Sequence, residues 1–181
     1  MENIPEEIYK VLFTEEEIQN RVKELGSAIT KEYAGKDLVL VNVLKGGIYF
    51  LSDLTRHIDL PLQIDFMAIS SYGPTTEASG VVRVVKDLEE TIAGKDVIVV
   101  EDIIDTGLTL RYLIKNLESR GPSSLEICTF LDKSARRIVD LPLKYKGFDI
   151  SDVFVVGYGL DYEQKFRNLP YVAILRSEVF L

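Results

Sequence analysis

The sequence predicts an α/β domain with a largely parallel central sheet flanked by helices. Three observations carry that expectation. Short runs rich in Val and Ile alternate with stretches of helical periodicity. Several of these runs are apolar at consecutive positions, as strands covered on both faces must be. The 181 residues, 46% hydrophobic and 28% charged, suit one compact domain with a sizeable core, and contain no linker, repeat or low-complexity tract.

The elements follow in order. Thr14 and Glu17 form a capping-box pattern, and Ile18, Val22, Leu25 and Ile29 then share one helical face. LVLVNVL (Leu38 to Leu44), LQIDFMAIS (Leu62 to Ser70), DVIVV (Asp96 to Val100), LEICTFL (Leu125 to Leu131) and DVFVVGYGL (Asp152 to Leu160) read as strands. VVRVVKDL (Val81 to Leu88) reads as an antiparallel partner, reached through the long polar loop SSYGPTTEASG (Ser70 to Gly80). A second polar run is ESRGPSS (Glu118 to Ser124). After Thr109, Leu110, Leu113, Ile114 and Leu117 make an amphipathic stripe that Gly121-Pro122 closes. The tail from about Lys144 is expected to form a smaller subdomain over one end of the sheet.

Composition excludes several functions. With 21 basic and 29 acidic residues the formal net charge is -8, which does not suit a protein that coats nucleic acid. A polyanionic small ligand would be repelled at long range, so local donors or a metal would have to hold it. The single cysteine, Cys128, allows no internal disulfide and points to a reducing compartment; it reads as a buried strand thiol. The single histidine, His57, reads as a helix-end residue. The acidic N-terminus MENIPEEIYK has no signal-peptide pattern, and no apolar run approaches the roughly 20 residues of a membrane helix. A cytoplasmic protein with no membrane partner is expected.

The most informative stretch is VIVVEDIIDTGLTL, Val97 to Leu110. Ligands of open α/β sheets bind beyond the carboxyl ends of strands. Glu101 and Asp102 stand there, and adjacent strand positions point to opposite faces, so both grip one ion only if the chain bends. Ionised carboxylates only accept, so the pair suits a sugar's vicinal hydroxyls or a hydroxyl and a metal-bound water. Asp105-Thr106-Gly107-Leu108-Thr109 then opens a helix, whose N–H groups and dipole form a cradle for a phosphate monoester. Together they spell a 5-phosphorylated ribose. The plainer alternative has Asp105 and Thr109 as helix caps and the two acids as solvated strand ends.

These residues resemble the phosphoribosyl-pyrophosphate signature of type I phosphoribosyltransferases, in the spelling closest to the branch that takes hypoxanthine and guanine. The likeness runs from about Thr14 to Arg176. It implies the type I phosphoribosyltransferase fold: one domain over 1–181, a core at about 35–140, and a small hood from the N-terminal segment and about 144–181. VLKGGIYF resembles the pyrophosphate loop, with Lys45, Gly46 and Gly47, where the Leu44–Lys45 peptide can be cis. SSYGPTTEASG resembles the mobile lid, with Ser71 and Tyr72 at its tip, whose use would be to keep water from an activated sugar. In FLDKSARR, Lys133 matches the lysine that donates to purine O6. VFVVGYGLDYEQKFRNL completes the match: Phe154 on the base, Val155 touching it through its backbone, Asp161 helping to hold Mg2+, and Arg167 reaching the pyrophosphate. Ile104 would cover the other face of the base. Taken singly, Phe154 reads as core and Asp161 as a cap ahead of Tyr162. Two departures stand out: Leu108, where some members carry Lys, and Ala68, where no Arg precedes the lid.

The implied reaction is purine salvage. A 6-oxopurine displaces pyrophosphate from 5-phospho-α-D-ribose 1-diphosphate, giving IMP from hypoxanthine or GMP from guanine. Mg2+, held by Glu101, Asp102 and Asp161, would neutralise the leaving group, and Asp105 would accept or orient the N7 proton. A homodimer or homotetramer is implied. Three other readings compete. Apolar-Asp-Thr-Gly also marks aspartic proteases, but there β structure follows, not an amphipathic helix. An RNA-binding regulator on the same fold would need a basic face. A sibling transferase would take adenine, xanthine or a pyrimidine.

Overall fold

A computed structural model describes residues 4–71 and 82–180. In chain order the elements are β1 (Ile8–Phe13), α1 (Glu15–Glu32), β2 (Leu38–Leu44), α2 (Ile48–Arg56), β3 (Leu62–Ser71), β4 (Val82–Lys86), β5 (Asp96–Ile104), α3 (Leu108–Glu118), β6 (Ser124–Asp132), β7 (Tyr145–Asp149), β8 (Val155–Val156), β9 (Val172–Leu175) and α4 (Ser177–Phe180). A six-stranded sheet runs β4-β3-β2-β5-β6-β7, and a three-stranded sheet runs β1-β9-β8. All neighbours in the large sheet are parallel except β4, which pairs antiparallel with β3 as expected.

The large sheet is covered on both faces. Ile98 and Val100 of β5 pack with Ile18 and Val22 of α1 and Phe50 and Leu54 of α2. Val97 and Val99 pack with Leu110, Leu113 and Leu117 of α3 on the other side. That double burial is why Val97 to Val100 of β5 read as an unbroken apolar run. The capping box of α1 is present in both directions: Glu17 N–H donates to Thr14 Oγ1 (3.3 Å), and Thr14 N–H donates to Glu17 Oε2 (2.8 Å). Cys128 is fully buried on β6, where burial pushes its thiol up, and His57 ends α2.

Four expectations are corrected. First, β5 continues to Ile104, so Glu101 and Asp102 lie inside the strand. Second, of the strand expected over Asp152 to Leu160 only Val155–Val156 forms, and it belongs to the small sheet. Positive φ at Gly157 (96°), Tyr158 (49°) and Gly159 (98°) turns the chain before a longer strand can run. Third, Tyr145–Asp149, expected in the hood, completes the large sheet beside β6. Fourth, β1 has no counterpart in the expected elements, because its pairing with β9 joins residues as much as 167 positions apart (Ile8 with Leu175). The lid expected at Ser71 and Tyr72 falls at the edge of what is described: β3 ends at Ser71, and Tyr72 lies outside the described residues.

Candidate active site

The carboxyl end of β5 organises the site. Side chains alternate regularly along the strand as far as Asp102. Continued alternation would put Ile104 on the same face as Asp102, but Ile103 packs there and Ile104 goes to the opposite core. The chain therefore turns over between Asp102 and Ile103, the two consecutive residues that share a face. Ile104 is 2% exposed, so the expectation that it covers the base is corrected: Ile103 lines the cleft in its place.

The two acids separate as alternation demands. Asp102 lines the cleft, and its Oδ1 accepts from Ile103 N–H at 2.7 Å. Burial pushes its carboxyl up to about 6, with Arg167 pulling against that shift and Asp161 adding to it. Glu101 is buried and is not part of the cleft wall; burial, with the Asp102 charge behind it, pushes its carboxyl well above the usual range.

The cleft has a volume of about 910 Å³ and brings together Asp102, Asp105, Lys133, Phe154, Val155 and Asp161 from the sequence expectations. It adds Ile103, Arg136, Asp152 and Val153, which sequence reasoning missed. Arg136 had a visible signal, the second cation three residues after Lys133 in KSARR. Lys133 Nζ lies 3.5 Å from Asp152 Oδ1. Phe154 is 39% exposed and stands edge-on to Tyr162, with centroids 5.8 Å apart, so it is not a core residue.

Two turns adjoin the cleft. Gly107 sits in the left-handed region (φ 79°) immediately before α3, and no side chain caps that helix. Asp105 and Thr109 are therefore not its caps. A Cβ on Gly107 would lie 2.8 Å from Val139 Cγ2. The first turn of α3, with Leu108 and Thr109 exposed, presents N–H groups that have no intrahelical partner. Leu108 N–H reaches Thr106 Oγ1 at 3.4 Å.

In the second turn, Lys45 to Gly47, the Leu44–Lys45 peptide is cis. Gly46 lies against the acid, since a Cβ there would stand 1.5 Å from Asp102 Oδ2. From the other side, a Cβ on Gly159 would meet the Gly46 carbonyl oxygen at 2.0 Å. Arg167 donates to the Gly159 carbonyl (2.6 Å) and pairs with Asp161 Oδ1 (2.6 Å), while Asp161 Oδ2 accepts from Gln164 N–H (2.9 Å). Asp161 caps no helix. Lys45 Nζ and Arg167 Nη2 both reach Gln164 Oε1 at 3.4 Å, so two cations converge on one neutral oxygen. Among the described residues no three Asp, Glu, His or Cys side chains form a metal cluster, and no helix is long and apolar enough to cross a membrane.

A strand-to-helix turn beside a cleft lined by Asp102, Asp105, Lys133 and Phe154 suits a phosphoribosyl transferase domain, and residues 10–163 match the phosphoribosyl transferase domain profile. The chain belongs to this family. It is 52% identical to the hypoxanthine-guanine phosphoribosyltransferase of Staphylococcus aureus over 174 residues, 96% of this chain and 97% of the relative. It is 48% identical to the enzyme of the same name from Bacillus subtilis, with the same coverage. The crystal structure of a Staphylococcus aureus hypoxanthine phosphoribosyltransferase superposes with a TM-score of 0.94 at 52% identity, covering 97% of this chain and 95% of that one. A Trypanosoma cruzi hypoxanthine phosphoribosyl transferase superposes at 0.92 with 41% identity, covering 97% of this chain and 95% of that one.

Proposed function

We propose that this chain is a hypoxanthine-guanine phosphoribosyltransferase of purine salvage, forming IMP or GMP and pyrophosphate. The observation that carries the reading is the cleft wall. A carboxylate (Asp105), an ammonium (Lys133) and an aromatic face (Phe154) line one cleft, together with the acid Asp102. The base stacks between Phe154 and Ile103. Lys133 donates to O6, which an adenine amino group cannot accept, and Asp105 takes or orients the N7 proton. The Val155 backbone meets the base edge. Asp102 accepts from ribose hydroxyls, with Glu101 behind it as a buried support. The 5'-phosphate lies on the first turn of α3, at Thr106, Gly107, Leu108 and Thr109. The pyrophosphate lies along Lys45, Gly46 and Gly47, with Arg167 beside them. The lid at Ser71 and Tyr72 remains part of the proposal.

The donor set fits Mg2+. Asp102 and Asp161 offer hard carboxylate oxygens, and an ion that keeps waters and substrate phosphates needs only one or two such groups. Burial raises the Asp102 carboxyl, and a cation beside it would favour its ionised form. Bound there, Mg2+ would neutralise charge on the pyrophosphate. Glu101, on the other strand face, is not a direct ligand in this arrangement. The protein would act in the cytoplasm as a homodimer or homotetramer.

A spectrophotometric assay tests the reading. It supplies phosphoribosyl pyrophosphate, Mg2+ and, separately, hypoxanthine, guanine, xanthine, adenine and uracil, with a chelator control. Chelator-sensitive nucleotide formation with the first two bases and little with adenine is the expected result. Turnover with adenine or uracil instead would overturn the substrate assignment.

A further inference from the structure

Four charged side chains of alternating sign run along one wall of the cleft. Arg136 Nε lies 2.8 Å from Asp105 Oδ1. Arg136 Nη1 donates to both Asp152 oxygens, at 3.0 and 3.1 Å. Lys133 Nζ stands 3.5 Å from Asp152 Oδ1. The two groups expected to read the purine, Asp105 and Lys133, thus share one ionic network through Arg136 and Asp152.

The two arms of Arg136 are unequal. Asp105 Oδ1 is shut off from solvent and makes no hydrogen bond, so its contact with Arg136 is close but out of line. A desolvated acceptor without an in-line donor is a costly arrangement. A purine N7–H arriving along the lone pair would satisfy it better. The arm to Asp152 is a pair of hydrogen bonds, and that bonding holds the Asp152 carboxyl below the usual carboxylate range.

The backbone beneath Arg136 is secured. Ser134–Arg136 form a 3-10 turn, Lys133 N–H donates to the Ile104 carbonyl (2.9 Å), and Ile138 N–H donates to that of Thr106 (3.0 Å). Arg137 pairs with the buried Asp132 at 2.6 Å. Any exchange at Asp105 therefore comes from rotation of the Arg136 side chain, which is 44% exposed and has room to turn.

We infer that Arg136 is a positioning residue of the base site: it occupies Asp105 while the site is empty, yields it to purine N7–H, and stays anchored on Asp152. This rests on the reading of Asp105 as the N7 partner. The arrangement has a use in a chain of net charge -8. A bare carboxylate in the cleft would repel a pyrophosphate-bearing substrate, and Arg136 neutralises it until the base arrives.

Two variants have opposite expected signs. Arg136→Gln removes the competitor for Asp105, so KM for hypoxanthine falls about two- to fivefold, the size expected for an exposed ion pair. Asp152→Asn weakens the anchor, leaves Arg136 on Asp105 and raises that KM. Raising KCl from ~50 to ~500 mM brings the wild-type KM toward that of Arg136→Gln and leaves the variant flat. A merely structural role would shift both variants in the same direction. Unchanged or raised KM for hypoxanthine in Arg136→Gln, or the same sign in both variants, overturns the inference. Calorimetric titration with hypoxanthine, a free base that can carry N7–H, reads the same two signs without turnover. A wild type that binds hypoxanthine but makes no nucleotide therefore sinks the proposed activity separately from the role of Arg136.

Discussion

Asp105 and Asp102, three residues apart, have different work. Asp105 lies at the turn and lines the cleft, where the proposed reading puts the base, so its loss should fall on chemistry. Asp105→Asn is expected to lower kcat by about a hundredfold or more, with a much smaller change in affinity for phosphoribosyl pyrophosphate. Equal losses in both, by steady-state kinetics and equilibrium binding, would remove the general-base role. Lys133→Ala should cut the preference for hypoxanthine over adenine by about tenfold or more, because an unpaired buried donor is what rejects the wrong base. Asp102, like the buried Glu101, is a costly residue for the ligand-free fold. Its carboxyl is raised to about 6, so the folded chain binds the proton more tightly than the unfolded chain does. Unfolding then releases a proton, and this group's contribution is greatest below the ordinary carboxyl range and declines as pH rises through about 6. Asp102→Asn should therefore stabilise the ligand-free protein at pH 7.5 by on the order of 1–2 kcal/mol and do little at pH 4. Calorimetric melting at both pH values checks it; equal effects would contradict the assigned cause.

At the scale of elements, the site is made by the ends of β2, β5 and β6 and by the turns that leave them. Parallel register puts those ends on one edge, with Leu40 opposite Ile98 and Ile98 opposite Glu126. The turn after β2 must pass very close to Asp102, which only a residue without a Cβ can do. Gly46→Ala would place a carbon 1.5 Å from Asp102 Oδ2, so the acid or the turn must shift. The expected result is a fall in kcat/KM for phosphoribosyl pyrophosphate of about a hundredfold, since displacements near 1 Å at a reacting centre carry that cost. Near-normal kinetics would show that this turn does not touch the substrate. The 157–161 turn presses on Gly46 from the small sheet, so the turn at Lys45 to Gly47 is clamped between both sheets.

At the scale of the whole molecule, the large sheet ends at β4, and Val85 on that strand is 65% exposed. Ile64, on the neighbouring β3, is 45% exposed. Among the described residues no further strand pairs with β4, and an edge with exposed apolar side chains is a surface that assembly would cover. The proposed homodimer or homotetramer predicts a light-scattering mass of about two or four times 20.5 kDa; a monomer at micromolar concentration would refute it.

The sequence by itself determined the α/β class, the capping box of Thr14 and Glu17, most strands of the large sheet, and the strand-to-helix turn at Asp105 to Thr109. Each is written in local periodicity, turn chemistry or a short motif, so neighbouring residues are enough to read it. The tertiary structure decided what depends on distant partners. It placed β7 in the large sheet, paired β1 with β9, and let the β5 chain turn over so that Ile103 faces the cleft and Ile104 the core. It also joined Arg136 to Asp105 across thirty-one positions of sequence. Alternation along one strand cannot foresee a reversal that packing against two separate cores imposes, and no local pattern says which cation will face which acid.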